Sequence, residues 1–171
     1  RQMCIRDRGA YSLPKADMPN VKKLMEDGSY TLKKRSALPS SSAINWASMF
    51  MGAGPELHGY TEWGSKTPEL PSRVLNKNGI FPTVFQLLRD ARSEAEIGCL
   101  YEWEGIKYLV DTLSLNYHYH VADCNKTPKE LGNMASAYIK EKHPALVAIC
   151  YDGPDHTGHT EGHDTPAYYE K

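Results

Sequence analysis

Residues 145–150, ALVAIC, form an unbroken apolar run directly behind a segment with the repeat and caps of a helix. No other feature restricts the fold as strongly. A strand that is apolar at every position has to be covered on both faces, which is the situation of a strand inside a parallel α/β sheet. The segment before it, TPKELGNMASAYIKEKHP, predicts a helix with Thr127 as N-cap, Pro128 at the first helical position and Glu130 completing a capping box. EIGCLYEW, residues 96–103, predicts another strand.

Three more helices are expected upstream. MPNVKKLMEDG has Pro19 near its start, a stripe of Val21, Leu24 and Met25, and Gly28 as a stop. SSSAINWASMFMGAGP has Ser42 as a cap, Ile44, Ala47, Ser48 and Met51 on one face, and Gly52 to Pro55 as the end. PTVFQLLRDARS has Pro82 early and Val84, Leu87 and Leu88 pointing inward. Residues 60–80, rich in Pro, Gly, Ser and Lys, read as a loop. Helices alternating with apolar strands predict a mainly parallel α/β sheet that binds its ligands at the carboxyl ends of the strands.

The chain's 171 residues suffice for one domain with a substantial core. A net charge of −1 argues against a nucleic-acid binder or a polybasic membrane binder. No apolar run approaches the roughly 20 residues that span a bilayer, so no transmembrane segment is expected. Cys4, Cys99, Cys124 and Cys150 have neither disulfide-framework nor zinc-finger spacing. Residues 1–8, RQMCIRDR, resemble a translated sequencing adapter and are set aside from fold reasoning. The helix-like AYYEK at the other end lacks a terminator, so the chain reads as an internal fragment of something longer.

Behind the apolar strand lies YDGPDHTGHTEGHD, residues 151–164, with three of the chain's seven histidines. Asp155 and His159 are four apart, so a helical turn or a tight loop at Gly158 could aim both at one point. A carboxylate and an imidazole together suit Zn²⁺. The alternative is a solvated His-rich loop with adventitious metal affinity. His163 is a further candidate, and His156 reads as a surface residue. LPSSSAIN offers a second kind of site. A hydroxyl at a helix N-terminus sits beside amides and a positive dipole end that favour an anion by about 0.3–1 kcal/mol. The plain reading is that Ser40 to Ser42 only cap a helix. No GxSxG elbow is present, so a hydrolase triad is not indicated.

Taken together, MPNVKKLMEDG, LPSSSAINWASMFMGAGPELHG and PDHTGHTEG resemble, in order, three segments of the alkaline phosphatase superfamily, most closely its nucleotide pyrophosphatase/phosphodiesterase branch. The resemblance spans residues 18–165. It implies a three-layer α/β/α sandwich with a mainly parallel sheet, incomplete at both ends. It also implies a two-zinc phosphoric ester hydrolase acting on a small-molecule phosphate ester or nucleotide through a covalent phosphoseryl intermediate. Ser42 falls at the position of the nucleophile, which also contacts one zinc. Asp155 and His159 fall on ligands of the other zinc. The remaining ligands are expected before residue 9 and after residue 171. Asp7 lies near the first of these but belongs to the adapter-like string.

Two departures bear on the substrate. The branch usually has an asparagine shortly after the His-Gly pair, to bind a phosphoryl oxygen; here Trp63 stands there. Asn45 could supply a donor instead or, one helical turn from Ser42, be only structural, and Trp63 could stack on a base or sugar, or pack in its loop. Ser42 is also serine rather than threonine, as in the phosphomonoesterases. A sulfatase would require Cys or Ser followed by x-Pro-x-Arg, and that motif is missing after Ser41 and Ser42. A phosphomonoesterase, or a non-catalytic carbohydrate- or nucleotide-binding relative, is a further alternative. The resemblance implies a bacterial, periplasmic or secreted parent, and an isolated piece of this length would be inactive.

Overall fold

The computed structural model describes residues 9–122 and 128–170. The adapter-like octapeptide, Asp7 and the Thr127 cap lie outside them. The chain divides into two compact units: residues 37–151, and residues up to 36 together with those from 152 onward.

The unit of residues 37–151 holds the sheet. Strands β1 (Ile97–Tyr101), β2 (Tyr117–His120) and β3 (Leu146–Cys150) are all parallel, in the order β2-β1-β3. In the register Tyr101 lies beside both His120 and Cys150, which mark the carboxyl edge. Side chains alternate between the two faces, as the pleat requires. Ile97, Cys99 and Tyr101 of β1 enter one cluster with Ala43, Trp46, Ala47, Phe50 and Phe85. These last come from helices α2 (Ser42–Met51) and α4 (Val84–Ala91). Leu100 faces the other way, onto Leu131, Ala135 and Tyr138 of helix α5 (Pro128–Lys142). Helices therefore cover both faces, which makes the unit an α/β/α layering around a parallel sheet.

The expected strands are present, but their burial differs from expectation. Central β1 is buried at all five positions, whereas β3 is only partly buried except at Cys150, because it is an edge strand of this sheet. The third strand, YHYH, lacks an apolar run and was not expected. Ring stacking holds it: Tyr117 lies 5.0 Å from Tyr138, and Tyr101 lies 5.7 Å from His120. A Tyr-His alternation with aromatic β-propensity was its signal. Residues 60–80 are irregular, as expected.

Helix α4 corrects another expectation. Its cap is Thr83, whose hydroxyl accepts the Gln86 N–H, and Pro82 precedes the cap. Phe85 and Gln86 are buried and Leu88 packs against the same cluster, as expected, while Val84 and Leu87 are exposed at 45% and 59%. The apolar stripe therefore runs through Phe85 and Leu88, three apart on one face, rather than through Val84 and Leu87. Phe85→Ala should therefore cost about 3–5 kcal/mol of stability, because Phe85 is fully buried with its ring 5.3 Å from that of Phe50. Leu87→Ala should stay within about 0.5 kcal/mol. Chemical denaturation of the two variants checks this; equal losses would contradict the orientation of the helix.

The other unit contains helices α1 (Pro19–Asp27), α6 (Gly153–Glu161) and α7 (Pro166–Tyr169). Helix α1 has the expected limits, but none of its residues is buried, and Leu24 is 45% exposed. The unit is tied together by Tyr168, which accepts the Gly9 N–H at 2.9 Å and stacks with Tyr11, and by a Lys15–Asp164 ion pair at 2.8 Å. Among the described residues no helix is long and apolar enough to cross a membrane.

Candidate active site

Ser42 is the first residue of α2 rather than its cap. The cap position belongs to Ser41, extended at φ −141° and ψ 170°, with no capping bond from its side chain. The reason lies in what replaces that bond. The Ala43 N–H, one of the amides a helix start leaves unpaired, donates instead to the Trp63 carbonyl at 3.1 Å. Ser42 itself is buried. At the far end, Gly52 closes the helix in the left-handed conformation (φ 62°), its N–H on the Ser48 carbonyl.

Asn45 fastens the serine turn. Its Oδ1 accepts the Ala37 N–H at 2.8 Å, and its Nδ2 donates to the carbonyls of Ala37 (3.3 Å) and Ser41 (3.0 Å). Both amide hydrogens are thus used within the protein, so in this geometry Asn45 holds the turn and offers no hydrogen to a phosphoryl oxygen. Trp63 is 66% exposed, and its ring lies 6.3 Å from that of Trp103, which follows the carboxyl end of β1. Exposure sets it apart from the packed loop aromatic that was the alternative.

His58 was not singled out by its sequence beyond its place in PELHG. It is fully buried, ending the short helix α3 (Pro55–His58). Its Nδ1 accepts the Tyr60 N–H at 3.1 Å, and its Nε2 lies 3.0 Å from Ser48 Oγ. Because Nδ1 accepts, the ring proton resides on Nε2 and donates to Ser48 Oγ, which in turn donates to the Ile44 carbonyl at 2.8 Å. Burial holds the imidazole pKa below its ordinary value, in keeping with a neutral ring. A second imidazole stands at the carboxyl edge: His120 Nε2 donates to the Glu102 carbonyl at 2.8 Å. Neither was legible from spacing, since each partner is distant in sequence or belongs to the backbone.

In the other unit, Asp155 and His159 both lie on α6, so of the two geometries open to them the helical turn is the one adopted. The sequence favours it locally. Pro154 occupies the first turn, the Asp155 carboxylate lies near the N-terminal end of the dipole, and His159 lies in the last turn. Asp155 Oδ2 and His159 Nε2 are 3.7 Å apart. Two donors held about 2.0–2.2 Å from one ion at a tetrahedral angle stand roughly 3.3–3.6 Å apart, so the pair fits two ligands of a single zinc. Their side chains are 25% and 75% exposed, which leaves room for further ligands. His163 lies beside them, its ring 6.4 Å from His159 and 5.2 Å from Tyr168. Gly158 lets the His163 ring approach closely, since a Cβ there would sit 2.4 Å from His163 Cε1 and the exposed ring would have to turn aside. His156 is exposed, as expected. Among the described residues no three His, Cys, Asp or Glu side chains gather as a metal site.

The family model described as Type I phosphodiesterase / nucleotide pyrophosphatase matches residues 9–171. Comparison with curated proteins and with solved structures returns no match.

Proposed function

The chain belongs to the Type I phosphodiesterase / nucleotide pyrophosphatase family, and from that premise we propose that it is a zinc-dependent phosphoric ester hydrolase of small phosphodiesters or nucleotides, with Ser42 as its nucleophile. The family itself establishes phosphoric ester hydrolysis and membership of the alkaline phosphatase superfamily. The observation that carries the zinc assignment is the Asp155–His159 pair, whose 3.7 Å separation suits shared coordination. The support for Ser42 is its place at the first position of a ten-residue helix, in the PSSS turn.

In this reading Asp155 and His159 would hold zinc. Such a metal would supply positive charge that lowers the pKa of a hydroxyl or water and offsets charge on phosphoryl oxygens. Ser42 Oγ attacks phosphorus, a Ser42 Oγ–P bond forms, and the bond from phosphorus to the leaving oxygen breaks. The leaving oxygen departs with a proton. Water then attacks the same phosphorus, restores the Ser42 hydroxyl and releases the phosphate ester. The positive end of the α2 dipole favours the charge on the phosphoryl group throughout.

The full-length protein, assayed with bis-p-nitrophenyl phosphate, p-nitrophenyl phosphate and p-nitrophenyl sulfate, is expected to turn over the diester fastest. Turnover of the sulfate alone, or of none with zinc present, would contradict the reading.

A further inference from the structure

We propose that His58 is a positioning residue for Ser42: it fixes the chain segment whose Trp63 carbonyl takes the amide next to the nucleophile. The proposal rests on the reading of Ser42 given above, and its geometry lies wholly within the unit of residues 37–151.

The contacts close a ring. From Ser42, α2 runs to Ser48, whose hydroxyl accepts from His58 Nε2 at 3.0 Å. His58 Nδ1 holds the Tyr60 N–H at 3.1 Å. Three residues on, the Trp63 carbonyl returns to the Ala43 N–H at 3.1 Å, beside Ser42. The turn after Tyr60 is stiffened by Ser65, whose hydroxyl accepts the Glu62 N–H and donates to the Glu62 carbonyl. The His58 carbonyl is held in turn by Ser72 Oγ at 2.8 Å.

Every proton in the ring has one consistent direction. Nδ1 accepts, Nε2 donates, and Ser48 passes its own hydrogen to the Ile44 carbonyl. A buried imidazole with both nitrogens engaged on different segments sets a distance between them, which an apolar side chain of equal volume would not do. The consequence reaches the start of α2 because Ser41, at the cap position, makes no side-chain capping bond. The Trp63 carbonyl does that work, so a displacement of residues 60–63 frees the Ala43 amide and loosens the turn on which Ser42 stands. Misplacement of a reacting group by about 1 Å can cost about 10²-fold in rate.

The test uses the full-length protein with two substitutions. His58→Asn keeps an acceptor near the Nδ1 position; His58→Leu fills the space with none. His58→Leu is expected to lower kcat for bis-p-nitrophenyl phosphate about 10²-fold with little change in KM. It is also expected to speed hydrogen exchange at the Ala43 amide, and His58→Asn, which keeps the bond to the Tyr60 N–H but not the one to Ser48, should recover part of both. Equal impairment in the two variants would mean packing alone matters and would overturn the proposal, as would a folded His58→Leu with unchanged kcat and Ala43 exchange. Should His58→Leu not fold, Ser48→Ala cuts the same ring at its other bond, and unchanged Ala43 exchange there would overturn the proposal too. Exchange also separates the two readings. Retained turnover in Ser42→Ala, with fast Ala43 exchange in His58→Leu, would discard the nucleophile and leave the coupling standing.

Discussion

Ser42→Ala in the full-length protein is expected to reduce turnover of a phosphodiester by at least about 10³-fold while zinc content stays at the wild-type level. The size of the effect follows from what the residue supplies. Uncatalysed phosphate ester hydrolysis is among the slowest of reactions, and covalent catalysis divides the displacement between two easier steps. An alanine at position 42 leaves the helix start in place, since the bond that satisfies the Ala43 amide comes from the Trp63 carbonyl and not from Ser42. Loss of turnover together with loss of zinc would point to a structural role; loss of turnover alone is the expected result. Asn45→Ala would be a poor substitute for this test, because it releases the Ala37–Ser41 segment that Asn45 ties down.

The second large effect concerns zinc itself. Asp155→Ala and His159→Ala should each weaken zinc binding by more than the about 10–100-fold that the loss of a supporting hydrogen-bond partner costs. Equilibrium binding of Zn²⁺ to the full-length protein reads this without reference to activity. His156→Ala is the control: it lies on the same helix, is exposed, and should leave affinity unchanged. The physical basis is the separation of 3.7 Å between Oδ2 and Nε2, close to that of two donors on one tetrahedral ion. If all three variants bound zinc alike, α6 would carry a histidine-rich surface and no ligand pair.

How much of this was legible depended on whether a signal was local. The apolar strands and the limits of α1 and α5 could be read from periodicity, proline and glycine. Strand β2 could not, because its stability comes from rings on other elements, Tyr138 and Tyr101. The face of α4 is only partly legible: Leu88 packs inward, but Phe85 takes the core position and Val84 and Leu87 stay exposed, a choice set by the partners on other elements. A partial exposure of β3 follows from its edge position, which no local pattern reports.

The site divides along the same line. The four-residue spacing of Asp155 and His159 already contained the helical turn that brings them within 3.7 Å. At the serine turn, spacing placed Ser42 at the start of a helix but gave it the capping role, which the structure assigns by position to Ser41 and by hydrogen bond to a carbonyl twenty residues downstream. Asn45 leaves two readings open in the sequence, a donor for substrate or a structural residue, because its side chain is legible there and its partners Ala37 and Ser41 are not. His58 escaped notice for a related reason: its partners are a serine one element away and a backbone amide.

The central claim is that the Ser42 oxygen becomes bonded to phosphorus during turnover. The most direct measurement is mass spectrometry of the peptide containing residues 39–46, after rapid acid quench of the full-length protein turning over bis-p-nitrophenyl phosphate. A substrate-derived phosphoryl adduct on Ser42, absent from an unreacted sample, is the predicted result. Steady turnover with this peptide unmodified, or with the adduct on another residue, would contradict the account.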